Sequence, residues 1–104
     1  MAIEIRTTTA FDQDVKQCKK RHRELSLLWD AVDTIVQQDV NRLRTFYKDH
    51  ALTGQWKGYR ELHIQADWLL IYKFTDGYVT LLLTRTGSHD ALFSVRKQDI
   101  RRYQ

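Results

Sequence analysis

Residues 59–85 read YRELHIQADWLLIYKFTDGYVTLLLTR. Three segments in this stretch, 59–64, 67–74 and 78–85, are rich in β-branched, aromatic and leucine residues, the composition of strands. Gln65-Ala66 and Asp76-Gly77 separate them, and Asp-Gly is among the stronger short hairpin signals. Two-residue loops at both places predict three antiparallel strands side by side. They set Phe74 opposite Val79, Tyr72 opposite Leu81, Leu70 opposite Leu83, Trp68 opposite Arg85, and His63 opposite Trp68. Facing side chains lie about 5 Å apart at Cβ, so His63, Trp68 and Arg85 are expected in one row. Gln-Ala is a poor turn pair, and a one-residue slip there would turn His63 to the other face. Asp67, of opposite parity to Trp68, reaches the row only from the turn or from a bulge.

Upstream, Ile3, Ile5 and Thr7 alternate with Glu4 and Arg6, the pattern of a short strand with one face inward. Thr8 or Thr9 is placed to cap a helix carrying the apolar stripe Phe11, Val15 and Cys18. The basic run at residues 19–23 ends or bends that helix. A second helix follows with Leu25, Leu28, Val32 and Ile35 on its buried stripe, Leu27 and Val36 beside it, fading near residues 39–41. Residues 44–57 have no clean period and hold Gly54. They read as a long surface loop with His50 in its middle, and Phe46, Tyr47 and Trp56 argue that it is ordered. Downstream, residues 86–88 can turn and cap a short helix with His89 in its first turn and Phe93 one turn later. The basic tail at 95–104 holds Arg96, Lys97, Arg101 and Arg102 and fits a strand, a helix or a mobile arm. The expected architecture is α+β: an N-terminal strand and two helices packed on one face of a small antiparallel sheet, then a short C-terminal helix.

A length of 104 residues fits one domain, 1–104, with one modest core. Seventeen Lys and Arg against thirteen Asp and Glu leave a net charge of +4, which favours an acidic partner without requiring one. Cys18 is the single cysteine, so no intrachain disulfide can form. With the polar residues 1–9, this points to a reducing cytoplasm. No apolar run approaches the roughly 18 residues of a membrane span, and no membrane partner is expected.

His50, His63 and His89 stand in the company of Asp67, Trp68 and Arg85. Imidazole, with an unperturbed pKa of about 6.5, both gives and takes protons near neutrality. RNA can be cut without metal or added water. A base removes the ribose 2′-proton, the 2′-oxygen attacks the adjacent phosphate, and an acid protonates the departing 5′-oxygen while a cation steadies the phosphorane. His50, His63, Asp67 and His89 are the candidate proton carriers and Arg85 the cation. Trp68 and Phe93 are candidate stacking or packing surfaces, and Lys48, Lys57 and Arg60 could hold flanking phosphates. Each residue also has a structural reading: His63 as a strand histidine, Trp68 as core, Arg85 paired with a carboxylate. A metal site built from the three histidines and Asp67 is the competing chemistry, but no close His-x-His pair anchors it.

Residues 47–63 (YKDHALTGQWKGYRELH), 67–73 (DWLLIYK) and 85–93 (RTGSHDALF) resemble the YafQ branch of the RelE toxin superfamily. Asp14-Val15-Lys16 and Lys20-Arg21-His22 are similar to it as well, so the likeness runs over about residues 8–93. It implies a bacterial toxin of a toxin–antitoxin pair that enters the ribosomal A site and cuts messenger RNA there, without metal or cofactor, leaving a 2′,3′-cyclic phosphate or 3′-phosphate. By position, His50, His63, Asp67, His89 and Phe93 match the functional residues of the branch, and Trp68 and Arg85 match neighbours in its cleft. The family pattern makes His89 the acid, Asp67 or His63 the base partner and Arg85 the phosphate clamp. It also implies a RelE-like fold with the helices on one sheet face and the cleft on the other, and a cognate antitoxin that covers the toxin and binds operator DNA with it. The tail beyond Phe93 departs from the pattern and could touch ribosomal RNA or the antitoxin. The alternatives are a non-nucleolytic toxin of the same fold, an RNA- or ribosome-binding module, and a regulator acting only through its partner.

Overall fold

A computed structural model describes residues 3–93, so the tail at 95–104 lies outside the described residues. The chain runs β1 (Glu4–Thr7), α1 (Thr9–Lys20), α2 (Leu25–Val36), α3 (Val40–Thr45), β2 (His50–Ala51), a 3-10 turn (Gly54–Trp56), β3 (Arg60–Gln65), β4 (Trp68–Thr75), β5 (Thr80–Gly87) and α4 (His89–Phe93). The strands form one sheet in the order β1-β5-β4-β3-β2. Strands β2 to β5 pair antiparallel as expected, while β1 lies parallel to β5 at the edge, so the sheet is mixed. All four residues of β1 are exposed, so that strand has no inward face of its own. Thr8 is the helix cap: its Oγ1 accepts from the Phe11 N–H at 2.9 Å and donates to the Thr84 carbonyl at 2.7 Å, tying the start of α1 to β5.

One sheet face packs the main core. Phe11 and Cys18 of α1 and Leu28, Val32 and Ile35 of α2 meet Leu62, Trp68, Leu70, Leu81 and Leu83. The opposite face carries a smaller cluster of Trp56, Tyr59, Leu69, Ile71 and Leu92, with Phe93 against it. Strand β4 is therefore covered on both sides over its first five residues, which explains an apolar run without alternation. The segment expected as a loop, residues 44–57, carries the end of α3, β2 and the 3-10 turn. Asp39 caps α3, its Oδ1 accepting from the Arg42 N–H at 3.1 Å, and Leu43 is the buried anchor of that helix. Among the described residues no helix is long and apolar enough to cross a membrane.

Both hairpin registers differ from the expectation. The first loop is Ala66-Asp67 rather than Gln65-Ala66, so Gln65 faces Trp68 and His63 faces Leu69. At the second, Thr75 pairs with Thr80 and residues 76–79 all lie in the loop. Asp76, Gly77 and Tyr78 are left-handed there, at φ 52°, 63° and 74°. A bulge at Thr84 then sets Ile71 opposite Arg85. The row of His63, Trp68 and Arg85 does not form.

Candidate active site

The slip sets His63 opposite Leu69 instead of Trp68, on the sheet face away from the main core. Residues two apart on a strand share a face, so Glu61 and His63 stand together on β3. The β2–β3 pairing sets His50 directly opposite Glu61. The Glu61 carboxylate is 7% exposed, and its Oε1 lies 3.4 Å from His50 Nε2 and 3.7 Å from His63 Nε2. The two imidazole rings are 6.2 Å apart and tilted by 31°. His50 Nδ1 lies 2.9 Å from the Lys48 carbonyl, which can only accept, so Nδ1 carries a proton and Nε2 is the ring's variable nitrogen. Lys48 supplies that carbonyl from a left-handed backbone, φ 57°. Glu61 is the functional candidate that the sequence reading missed; its i, i+2 relation to His63 is the signal that could have found it.

His89 and Asp67 make a second pair. Asp67 lies in the β3–β4 turn, and its Oδ1 accepts the backbone N–H of His89 at 3.1 Å, fixing the start of α4. The His89 ring stands 5.0 Å from that of Phe93, which in turn packs edge-on against Trp56 at 6.1 Å. The pairings put His63, Leu69 and Gly87 abreast on three neighbouring strands. At about 4.8 Å per strand, His63 and Gly87 are roughly 10 Å apart along that row. His89 follows Gly87 by two residues, and α4 packs Leu92 onto Leu69 and Ile71, on the face that holds Glu61. The three histidines thus border one sheet face, His50 and His63 in contact with one carboxylate and His89 across the row from them.

Other candidates fall elsewhere. Trp68 is a core residue, not a stacking plate: it is wholly buried on the helix side, its Nε1–H donates to Thr86 Oγ1 at 2.9 Å, and the Arg23 guanidinium covers its ring at 5.2 Å. Arg85 is forked on Asp14, with Nε to Oδ2 at 2.6 Å and Nη2 to Oδ1 at 2.9 Å, so the charge expected for a phosphate is shared with a carboxylate. Asp14 also accepts the Thr86 N–H at 3.1 Å, which satisfies the β5 edge where β1 has ended. Arg60 has the opposite parity to Glu61. Its Nη2 lies 2.6 Å from Asp49 Oδ1, and Asp49 also takes the Tyr72 hydroxyl hydrogen bond. Burial works against the Arg60 charge, but Asp49 outweighs it and holds the guanidinium pKa above its ordinary value. Burial, then Asp49, pushes the Tyr72 hydroxyl beyond the usual tyrosine range. This trio lines a concavity of about 340 Å³ on the helix side with Ile35, Leu43 and Phe74, away from the histidines. Lys48 and Lys57 are exposed. The metal set of three histidines with Asp67 is not assembled.

A family model described as the bacterial toxin of type II toxin–antitoxin system, YafQ, matches residues 3–94. The mRNA interferase toxin YafQ of Escherichia coli K12 is 45% identical over 83 residues, which cover 80% of this chain and 87% of that protein. The crystal structure of the E. coli DinJ–YafQ toxin–antitoxin complex is similar at a TM-score of 0.77 and 40% identity, over 89% of this chain and 99% of that one. A metal-bound toxin from Helicobacter pylori is similar at a TM-score of 0.78 and 38% identity, over 88% and 99% of the two chains.

Proposed function

The chain belongs to the YafQ family of type II toxin–antitoxin toxins, and from that premise we propose that it is a ribosome-dependent endoribonuclease that cuts messenger RNA in the A site. The observation that carries the reading is the buried Glu61 carboxylate between the Nε2 atoms of His50 and His63, on the sheet face that α4 borders with His89. In the proposed reaction an imidazole of the His50–His63 pair accepts the ribose 2′-proton. The Glu61 carboxylate, which faces both Nε2 atoms, steadies by its charge the imidazolium that forms. The 2′-oxygen attacks the adjacent phosphorus, and His89 protonates the departing 5′-oxygen. The products are a 2′,3′-cyclic phosphate and a free 5′-hydroxyl. No metal or cofactor is assigned a step.

Asp67 acts through His89, whose backbone N–H it holds. Phe93 backs the His89 ring and offers an apolar surface to a splayed base. Lys48 and Lys57 add positive field at the phosphates, and Arg85 contributes through a guanidinium kept rigid by Asp14. The ribosome orients the linkage, an entropic contribution that naked RNA would lack. A cognate antitoxin is the proposed partner, with the pair binding its own operator DNA, and the setting is the cytoplasm. Induced expression of the wild type and of His50→Ala, His63→Ala and His89→Ala tests the reading. Growth arrest by the wild type, relieved in each variant at equal soluble level, is expected; arrest that persists in all three would favour a non-nucleolytic toxin of this fold.

A further inference from the structure

We propose that Lys73, held over the Tyr59 ring, seats a message phosphate on the 5′ side of the linkage that is cut. The direction rests on the function proposed above; the phosphate seat rests on RNA binding alone.

Sheet parity puts Lys73 in line with the histidines. Leu69, Ile71 and Lys73 share one face of β4, and the pairing with β3 sets His63 beside Leu69 and Glu61 beside Ile71. Lys73 follows Tyr72, the partner of Arg60, and so stands beside Tyr59; its Nζ lies 4.6 Å from the centroid of that ring. Successive rows on one face are about 7 Å apart, so the Lys73 row lies about 13 Å from the row of His63 and Gly87, beyond the row of His50 and Glu61.

Charge distinguishes Lys73 from the other cations near the site. Arg85 is forked on Asp14, and Arg60 is held by Asp49. Lys48 and Lys57 are exposed on connecting segments. Lys73 is half-buried on β4, and among the described residues no ion pair includes it. A shielded charge calls for a counter-charge. The Tyr59 ring, 2% exposed, fixes the ammonium by a cation–π contact without neutralising it. Both residues border a concavity of about 420 Å³ with Ala51, Gly58 and Thr75, within the size range of small-ligand sites. Asp76 stands at the turn end of that concavity, so the place for an anion is the Tyr59 end.

In the proposed reaction the attacking 2′-hydroxyl belongs to the nucleotide on the 5′ side and meets the His50–His63 pair. The departing 5′-oxygen belongs to the nucleotide on the 3′ side and meets His89. The Lys73 row continues from the row of His50 and Glu61, away from His89, so the phosphate that reaches the ammonium lies upstream of the cut.

Anisotropy titration of the full chain with a labelled 2′-O-methyl RNA oligomer, which has no 2′-hydroxyl to attack, tests the seat across a salt series. Affinity of the wild type should fall as salt rises. Lys73→Met, which keeps an apolar stem, should flatten the log–log slope by about 0.7, the value for one phosphate contact on a single strand. Lys73→Arg should keep the slope, and so should Lys19→Met, which removes an exposed charge on α1. A lysine with a purely structural role would move the melting temperature and not the slope. No salt-dependent binding, an unchanged slope in Lys73→Met, or an equal change in Lys19→Met overturns the seat. For the direction, ribosome-bound synthetic messages carry one neutral methylphosphonate, at either of the first two linkages upstream of the cut or at the first downstream. One upstream substitution should slow the wild type and cost Lys73→Met nothing further. Such selectivity at the downstream linkage, or at none, overturns the direction. A chain that binds in this way but never cuts sinks the proposed function, and the direction with it, and leaves the seat standing.

Discussion

Trp68 separates a core role from a substrate role, and the two differ by a measurable free energy. Its ring is wholly buried among the helix-side core residues, and its Nε1–H donates to Thr86 Oγ1, which itself donates to the Leu69 carbonyl at 2.7 Å. Trp68→Ala removes the largest of the fully buried side chains. Such truncations cost about 3–5 kcal/mol, against total stabilities of about 5–15 kcal/mol. At about 4–8 °C of melting temperature per kcal/mol for a domain of this size, the fall should exceed about 12 °C. Trp68→Phe keeps most of the apolar ring but leaves Thr86 without its donor, at about 1–3 kcal/mol, or roughly 4–24 °C. Circular dichroism melts measure the loss, and cleavage of ribosome-bound message is then assayed below the midpoint of the phenylalanine variant. Cleavage by Trp68→Phe within about threefold of wild type is expected, since about threefold in rate is under 1 kcal/mol of barrier. Melting temperatures unchanged in both variants, with cleavage abolished, would refute the core assignment and restore Trp68 as a base-stacking plate.

Three further outcomes follow from the same contacts. Asp14→Asn breaks the fork to Arg85, whose partners are 15% and 14% exposed; with partial screening the loss should be about 1–3 kcal/mol in urea unfolding, below the 3–5 kcal/mol of a fully buried pair. Asp67→Asn keeps an acceptor for the His89 N–H but removes its charge, so cleavage should fall less than in Asp67→Ala when single-turnover rates are compared at equal fold. The Tyr72 hydroxyl is held protonated by burial and then by Asp49, so its folded pKa lies above the unfolded value of about 10. Its contribution is complete below that value and drains away as pH rises past it, while the unfolded chain ionises first; the stability gap between wild type and Tyr72→Phe in urea should narrow above about pH 10.

The helices were legible because their stripes are periodic: Leu28, Val32 and Ile35 are buried at the spacing that predicted them. The short helix α3 was hidden by its length, although Asp39 was a readable cap. Register was the part that failed. Tyr78 and Val79 look like strand residues, yet they sit in the loop at 66% and 45% exposure, because three consecutive left-handed residues widen the turn. At the bulge the Thr84 carbonyl accepts from Thr8 Oγ1, seventy-six positions away, a contact that no local pattern announces. Those slips put Trp68 on the core face and His63 on the opposite one, so the two do not share a row. The histidines stood out by residue type, and Glu61 was readable beside His63 at i, i+2, but its place opposite His50 depended on the pairing of β2 with β3. Asp14 and Asp49 were missed for the same reason, as each takes a partner far along the chain.

The most direct measurement is cleavage of message on purified programmed ribosomes by wild type, His50→Ala, His63→Ala and His89→Ala, with the new 3′ ends identified chemically. Wild type should cut in the A site and leave 2′,3′-cyclic phosphate, and each variant should be slower by about 10²-fold or more while melting within a few degrees of wild type. Wild-type rates in all three variants, or cuts ending in a 3′-hydroxyl, would contradict an imidazole-driven attack by the 2′-oxygen.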